Sequence, residues 1–421
     1  MIREMKDSGV EWIGEIPEDW EIIPNKHLMK KVKNLCPIYN GEDILSLSMK
    51  GVYVRDPNDE SGKRPTTYNG YQHVQEGDLL MCLFDIDVTP RCVGRVHNNG
   101  LTSPAYSRFV MNKTRAIVDY YYYYYLALDF DKTLLHLSKN MRSSLTESDF
   151  GSINAPAPSP TEQQQIVHFL DRKCTAIDTA IEKTKKSIEK LEEYKKAVIT
   201  KAVTKGIDPN AKMKDSGVEW IGEIPENWNI RRGKFIFKKL SRSVKDSDEV
   251  ITCFRDGEVT LRKNRREEGF TFSDKEIGYQ GIEPGDLVIH GMDGFAGSIG
   301  ISDSRGKATP VLNVLSSSEN KKYCMYYLRS MAYGDVFTAI ATGIRVRSCN
   351  LNWNKLAELS YPVPDKDIQK QIVNYIDNVI EATNDLIKKK QTIINKWEEY
   401  KKSLIYYAVT GKIDCRNEVI E

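Results

Sequence analysis

The chain has 421 residues, more than one hydrophobic core usually serves, so two globular domains or a two-fold repeat are expected. Apolar residues make up 40% and charged residues 29%, which excludes a disordered chain, a collagen-like one and a small disulfide scaffold. No apolar run reaches the roughly 18 residues a membrane span needs and the N-terminus lacks an apolar signal core, which predicts a soluble, cytoplasmic chain.

Sixty-one basic residues against 59 acidic ones leave a formal charge of +2, so any nucleic-acid contact must come from local patches. The eight cysteines (Cys36, Cys82, Cys92, Cys174, Cys253, Cys324, Cys349, Cys415) are scattered without a C-x-x-C pair. That scatter reads as reduced, buried thiols rather than a metal site.

The chain is written twice. Met5 to Trp20 (MKDSGVEWIGEIPEDW) recurs as Met213 to Trp228 (MKDSGVEWIGEIPENW), 15 of 16 positions agreeing, with Asp19 against Asn227 as the exception. Gly70-Tyr71-Gln72 and Gly77-Asp78-Leu79 recur at the same offset of 208 as Gly278-Tyr279-Gln280 and Gly285-Asp286-Leu287. Pro156/Pro158 and Pro362/Pro364 close each half before a helical segment. Glu192-Glu193-Tyr194-Lys195-Lys196 recurs as Glu398 to Lys402, at an offset of 206. Identity is high at both ends of each half and low between them, as expected of one shared frame carrying two different readers.

The first reader, residues 21–155, holds short apolar runs bounded by turn residues, such as Ile44 to Ser48 and Gly77 to Leu83, which predict strands. Its tyrosine block, Tyr120 to Tyr125, matches Tyr323 to Leu328 in the second half. As helices, both blocks would bury an aromatic stripe in the core rather than stack on bases. Lys63, Arg64, Arg91, Arg95 and Arg142 are its candidate DNA contacts.

After Pro158 the text turns helical. Ser159-Pro160-Thr161-Glu162 fits a capping box, with Ser159 as N-cap and Glu162 reaching back to it. A strict four–three spacing then runs through Leu170, Cys174, Ile177, Ile181, Thr184, Ile188, Leu191, Lys195, Val198 and Ala202, eight of the ten apolar. This is a coiled-coil seam, ended by Gly206 and Pro209.

The second reader, residues 229–361, is more basic. Asn229 to Arg266 holds 12 Lys/Arg against 5 Asp/Glu, whereas Glu21 to Arg64 holds 8 against 6. Arg242, Arg255, Arg262, Lys263, Arg265, Arg266, Arg345 and Arg347 are candidates for phosphate contact or guanine reading. The second seam runs through Ile376, Ile380, Thr383, Ile387, Lys390, Ile394, Trp397, Lys401, Leu404 and Ala408. Asp365 is its expected N-cap, Ile368 breaks the box, and Gly411 ends the helix.

A lone helix exposing eight such side chains would forgo roughly 12–24 kcal/mol of burial, at about 1.5–3 kcal/mol each, so the two helices must pair. A pseudo-two-fold axis between the copies would run them antiparallel. Each seam is ~50 Å long at 1.5 Å per residue, more than one DNA turn of ~34 Å.

Catalytic motifs are missing. No Walker P-loop, H-E-x-x-H, G-x-S-x-G or Cys/His ligand spacing occurs, and Asn154-Ala155-Pro156 is not the Asn/Asp-Pro-Pro-aromatic signature of amino-methyltransferases. Gly294 to Gly300 spaces its glycines for tight turns between strands. The pattern favours a binding protein over an enzyme.

The paired W-I-G-E-I-P-x-x-W segments (Trp12 to Trp20, Trp220 to Trp228), the Gly-Asp-Leu strands, the Pro-x-Pro segments and the Glu-Glu-Tyr-Lys-Lys helices together resemble the specificity subunit of type I restriction–modification enzymes. The resemblance covers essentially the whole chain, in order and in duplicate. It implies an α+β fold: two β-rich target recognition domains (residues 1–158 and 207–364) and two helices (residues 159–206 and 365–412) forming an antiparallel coiled coil, with a tail at 413–421. The implied function is non-catalytic: each domain reads one half of an asymmetric bipartite site in double-stranded DNA, and the coiled coil sets the spacer and docks two methyltransferase subunits. Two restriction subunits would complete a nuclease. S-adenosylmethionine, ATP and Mg²⁺ would reside on those partners and none on this chain. A structural scaffold with no DNA role is the competing reading.

Overall fold

The computed structural model describes residues 3–56, 65–138, 143–265, 277–340 and 351–417. The chain has an α+β fold in which two units repeat one plan. Unit 1 comprises residues 1–184 and 392–421, and unit 2 comprises residues 185–391. The division cuts through both long helices, Pro160–Lys205 and Lys366–Val409, so each unit owns the start of one and the end of the other.

Unit 1 opens on a hairpin made by the repeated motif, Met5–Asp7 against Glu15–Pro17. Glu21–Pro24 then pairs with Asn154–Ala157, the strand carrying the first proline of the Pro-x-Pro segment. Between them lies a four-stranded antiparallel sheet in the order Met29–Lys31, Ser107–Met111, Leu79–Met81, Val93–Arg95. The tyrosine block forms the helix Val118–Phe130, packed against Val93–Arg95. Unit 2 repeats this order: Met213–Asp215 with Glu223–Pro225, Asn229–Arg232 with Ser360–Val363, and the sheet Phe237–Lys239, Leu312–Ser317, Leu287–His290, Ile299–Ile301. Its tyrosine helix is Lys321–Tyr333.

The tyrosine stripes are core, as expected. Tyr120, Tyr121, Tyr124 and Tyr125 are buried, and each hydroxyl finds an acceptor. Tyr121 donates to the Pro156 carbonyl at 3.1 Å, and Tyr327 in unit 2 donates to the Ser360 carbonyl at 2.8 Å. Burial pushes the Tyr120 and Tyr323 phenols well up, so these side chains stay neutral hydrogen-bond donors.

Within unit 1 the long-helix segments run antiparallel. Lys401 Nζ sits 2.7 Å from both Asp178 carboxylate oxygens, while Gln165 donates to the Arg416 carbonyl beyond the other helix's end. Unit 2 repeats the pairing with Lys195 donating to Asn384 Oδ1 at 3.1 Å, and Ile199, Ala202 and Val203 share a core with Ile372, Val373 and Ile376. Of the seam residues, Leu170, Ile177, Ile181, Ile376, Ile394 and Leu404 are buried, and Ile188, Leu191, Val198, Ile380 and Ile387 are half-buried.

Trp397 departs from the seam reading. It is 37% exposed and lies edge-on to Tyr400, where its counterpart Leu191 is half-buried. The capping box also departs. The Glu162 amide donates to Ser159 Oγ at 3.3 Å, whereas the Glu162 carboxylate turns away from the cap toward Arg3 and Trp20.

Each long helix ends on a glycine in the left-handed region, Gly206 (φ 76°) and Gly411 (φ 74°). A Cβ on Gly411 would enter the Pro17 ring and lie 3.0 Å from Trp20, whereas one on Gly9 (φ 70°) would meet nothing within 4 Å. Both substitutions carry the backbone cost of about 1–2 kcal/mol, and only Gly411→Ala adds a clash. We expect Gly411→Ala to lower the urea unfolding midpoint clearly more than Gly9→Ala does.

Candidate nucleic-acid interface

The repeated motif forms a fixed corner in each unit. In unit 1, Trp20 is buried and its indole N–H donates to Glu162 at 2.9 Å. Arg3 forms an ion pair with the same carboxylate and a second with Asp19 at 2.8 Å. Burial works to raise the Asp19 carboxyl, but the Arg3 hydrogen bonds and charge outweigh it and hold the carboxyl below its usual value. Its stabilising share is therefore present above the ordinary aspartate range and lost as pH falls through the lowered value.

In unit 2 all three charged positions are neutral: Ala211 stands for Arg3, Asn227 for Asp19 and Ile368 for Glu162. Ile368 packs on the apolar core instead. The single difference in the 16-residue repeat thus belongs to a three-residue exchange of an ion cluster for an apolar contact.

One glutamine joins each reader to the long helix that follows it. Gln163 is buried, donates to the Arg115 and Pro158 carbonyls at 2.7 and 2.8 Å, and accepts from the Ile117 amide at 2.8 Å. Gln369 does the same work with Glu319, Pro364 and Asn320. Sequence reasoning missed both, although a glutamine five residues after the last proline of each Pro-x-Pro segment was the available signal. The repeated Glu-Glu-Tyr-Lys-Lys segment adds a cation–π contact: Lys402 lies 5.6 Å from the Phe130 ring and Lys196 lies 5.7 Å from Tyr333.

Most of the described candidate cations are held by carboxylates of their own reader. Arg95 is paired with Asp119, and Arg242 with Asp286, where the longer contact is 3.1 Å. Arg255 meets Asp293 at 3.0 Å and Lys263 meets Glu249 at 2.7 Å. Arg265 meets both Asp256 and Glu258, and stacks 4.3 Å from the Phe254 ring centroid. Arg262 donates to Thr252 Oγ1 at 3.3 Å, within a 3-10 turn at Arg262–Asn264. Arg91 lies 3.7 Å from Asp129 and faces a cleft in the first reader. Asp286 and Asp293, from outside the Asn229–Arg266 stretch, thus offset part of its excess charge. Lys63, Arg64, Arg142, Arg266, Arg345 and Arg347 lie outside the described residues.

A family model described as the type I restriction modification DNA specificity domain matches residues 17–193. Two curated relatives from Methanocaldococcus jannaschii align over nearly the whole length. The putative type I restriction enzyme MjaX specificity subunit is 23% identical, covering 95% of each chain. The type I restriction enzyme MjaVIII specificity subunit is 25% identical, covering 96% of this chain and 95% of its own. Over nearly its whole length the chain is thus similar to type I restriction enzyme specificity subunits. Solved structures show the same fold: a chain from a study of type I R-M complex assembly and conformational transition has a TM-score of 0.66 at 13% identity, covering 94% of this chain and 99% of that one. The HsdS subunit from Thermoanaerobacter tengcongensis has a TM-score of 0.50 at 13% identity, covering 94% and 98%.

The corner exchange gives a test by single and triple substitution. Glu162→Ile alone leaves the Arg3 side chain, 9% exposed, without its buried partner, and should cost about 3 kcal/mol. Adding Arg3→Ala and Asp19→Asn, which rebuilds the unit 2 corner, should recover most of that loss in urea denaturation.

Proposed function

We propose that this chain is the DNA-reading subunit of a type I restriction–modification complex. Each reader takes one half of an asymmetric bipartite site in double-stranded DNA, and the paired helices set the spacer and dock two methyltransferase subunits. The observation that carries this reading is one frame, repeated down to its buried glutamines and helix-ending glycines, around two readers whose polar surfaces differ. A duplicated frame offers the same surface twice, which suits a partner present twice. Dissimilar readers suit a site whose halves differ, unlike the matched half-sites of a homodimer.

Since most described candidate cations are engaged within their readers, much of the phosphate contact falls to the methyltransferase partners, and the chain alone should bind DNA weakly. Those partners would bring S-adenosylmethionine. Restriction subunits, where present, would bring ATP and Mg²⁺. The complex would work in the cytoplasm, on the DNA held there.

Exchange of residues 21–155 for the corresponding reader of another specificity subunit should change one half of the methylated sequence and leave the other intact. Base-resolution mapping of adenine methylation reads this directly. Adding two heptads to both long helices should lengthen the spacer while keeping both half-sites. A complex that methylates with no salt-dependent sequence preference would instead favour the scaffold reading.

A further inference from the structure

The first reader carries a cleft of about 910 Å³ between a hairpin tip and the loop that precedes Arg91. The hairpin strands are Leu45–Ser48 and Gly51–Val54, and its tip presents Met49 and Lys50. The opposite wall is the stacked pair Phe84 and Tyr106, with ring centroids 6.3 Å apart and planes inclined by 25°. Met49 and Tyr53, which also line it, are 61% and 43% exposed.

Charge sets this cleft apart. Its twelve lining residues include Lys50 and Arg91 but no carboxylate. Arg91 braces the cleft, with Nη2 3.5 Å from the Met49 carbonyl and its guanidinium over Phe130. Lys50 is exposed, and its ammonium has no partner among the described residues. The corresponding hairpin of the second reader, Ile251–Cys253 with Val259–Leu261, closes its own cations instead: Arg255 on Asp293 and Arg265 on Asp256 and Glu258. The cleft thus lies in the part of the chain where the two copies diverge, which is where a difference in reading must be encoded.

We infer that this cleft receives a nucleobase of the first half-site, with the base against Tyr53 and the Phe84–Tyr106 wall and its flanking phosphate at Lys50. An aromatic wall beside a lysine that has no partner among the described residues, in a lining that holds no carboxylate, complements a base attached to a phosphodiester strand. A purely apolar ligand would leave Lys50 unused, and a cationic peptide would be repelled. The inference rests on the DNA-reading function proposed above and adds where the first half is contacted.

The test uses the complex assembled with its methyltransferase subunits and measures binding to duplexes that vary each base pair of both half-sites, over a range of salt. Lys50→Ala should weaken binding to all sequences and reduce the log–log salt slope by about one. Tyr53→Ala should lower discrimination about tenfold at base pairs of one half-site only, and Tyr53→Phe should retain it. Both side chains are exposed, so unchanged unfolding midpoints are expected to accompany these effects. Wild-type affinity and preference in both alanine variants, or equal loosening of the two half-sites, would overturn the inference and leave the DNA-reading function standing. A wild-type complex with no sequence preference would sink that function itself, and this inference with it.

Discussion

An α-helix ends in four carbonyls that have no partner within it, and a 46-residue helix needs those ends placed as carefully as its middle. Both long helices end under a buried tryptophan. In unit 1 the Val409 carbonyl accepts the Tyr120 hydroxyl at 2.8 Å, and Gly411 turns the chain beneath Trp20. In unit 2 the Val203 carbonyl accepts from Tyr323 at 3.1 Å, with Gly206 3.3 Å from Trp228 in the Cβ direction. A hydroxyl donor, a left-handed glycine and an indole therefore recur together, and a helix that begins in one unit terminates inside the other. The repeated W-I-G-E-I-P-x-x-W motif is the socket for that termination.

The two sockets are built from different chemistry at the same places. Unit 1 satisfies its tryptophan with a carboxylate and balances that carboxylate with Arg3. Unit 2 replaces the cluster by Ala211, Asn227 and Ile368. Exchange of a buried ion cluster for apolar packing is close to neutral when all members change together and costly when one changes alone. The same drift from acid to amide occurs in the seam, where Asp178 faces Lys401 and Asn384 faces Lys195. Geometry was kept while the electrostatics were free to vary.

The readers show the opposite balance. Their sheets have the same strand order, yet the side chains at the hairpins and loops differ in kind. One reader keeps an aromatic cleft with a lysine that has no partner among the described residues, and the other locks Arg242, Arg255 and Arg265 onto carboxylates. A locked arginine is a fixed donor rather than a mobile charge, which favours defined contacts over general attraction to phosphate.

The sequence alone determined the duplicated frame, the two heptad helices with their terminal glycines and the buried tyrosine stripes, since each rests on periodicity or on repeated residues close together in the chain. Three-dimensional packing decided what periodicity cannot see. Trp397 keeps the heptad position but stays 37% exposed, because periodicity sets which way a side chain faces and not how far its neighbours cover it. Glu162 leaves its cap for Trp20, 142 residues away. Arg242 and Arg255 of the second reader looked like free charge in a local count and proved paired, because Asp286 and Asp293 reach them from distant strands and turns. Partners separated by tens of residues leave no local pattern, and only the folded chain brings them within hydrogen-bonding distance.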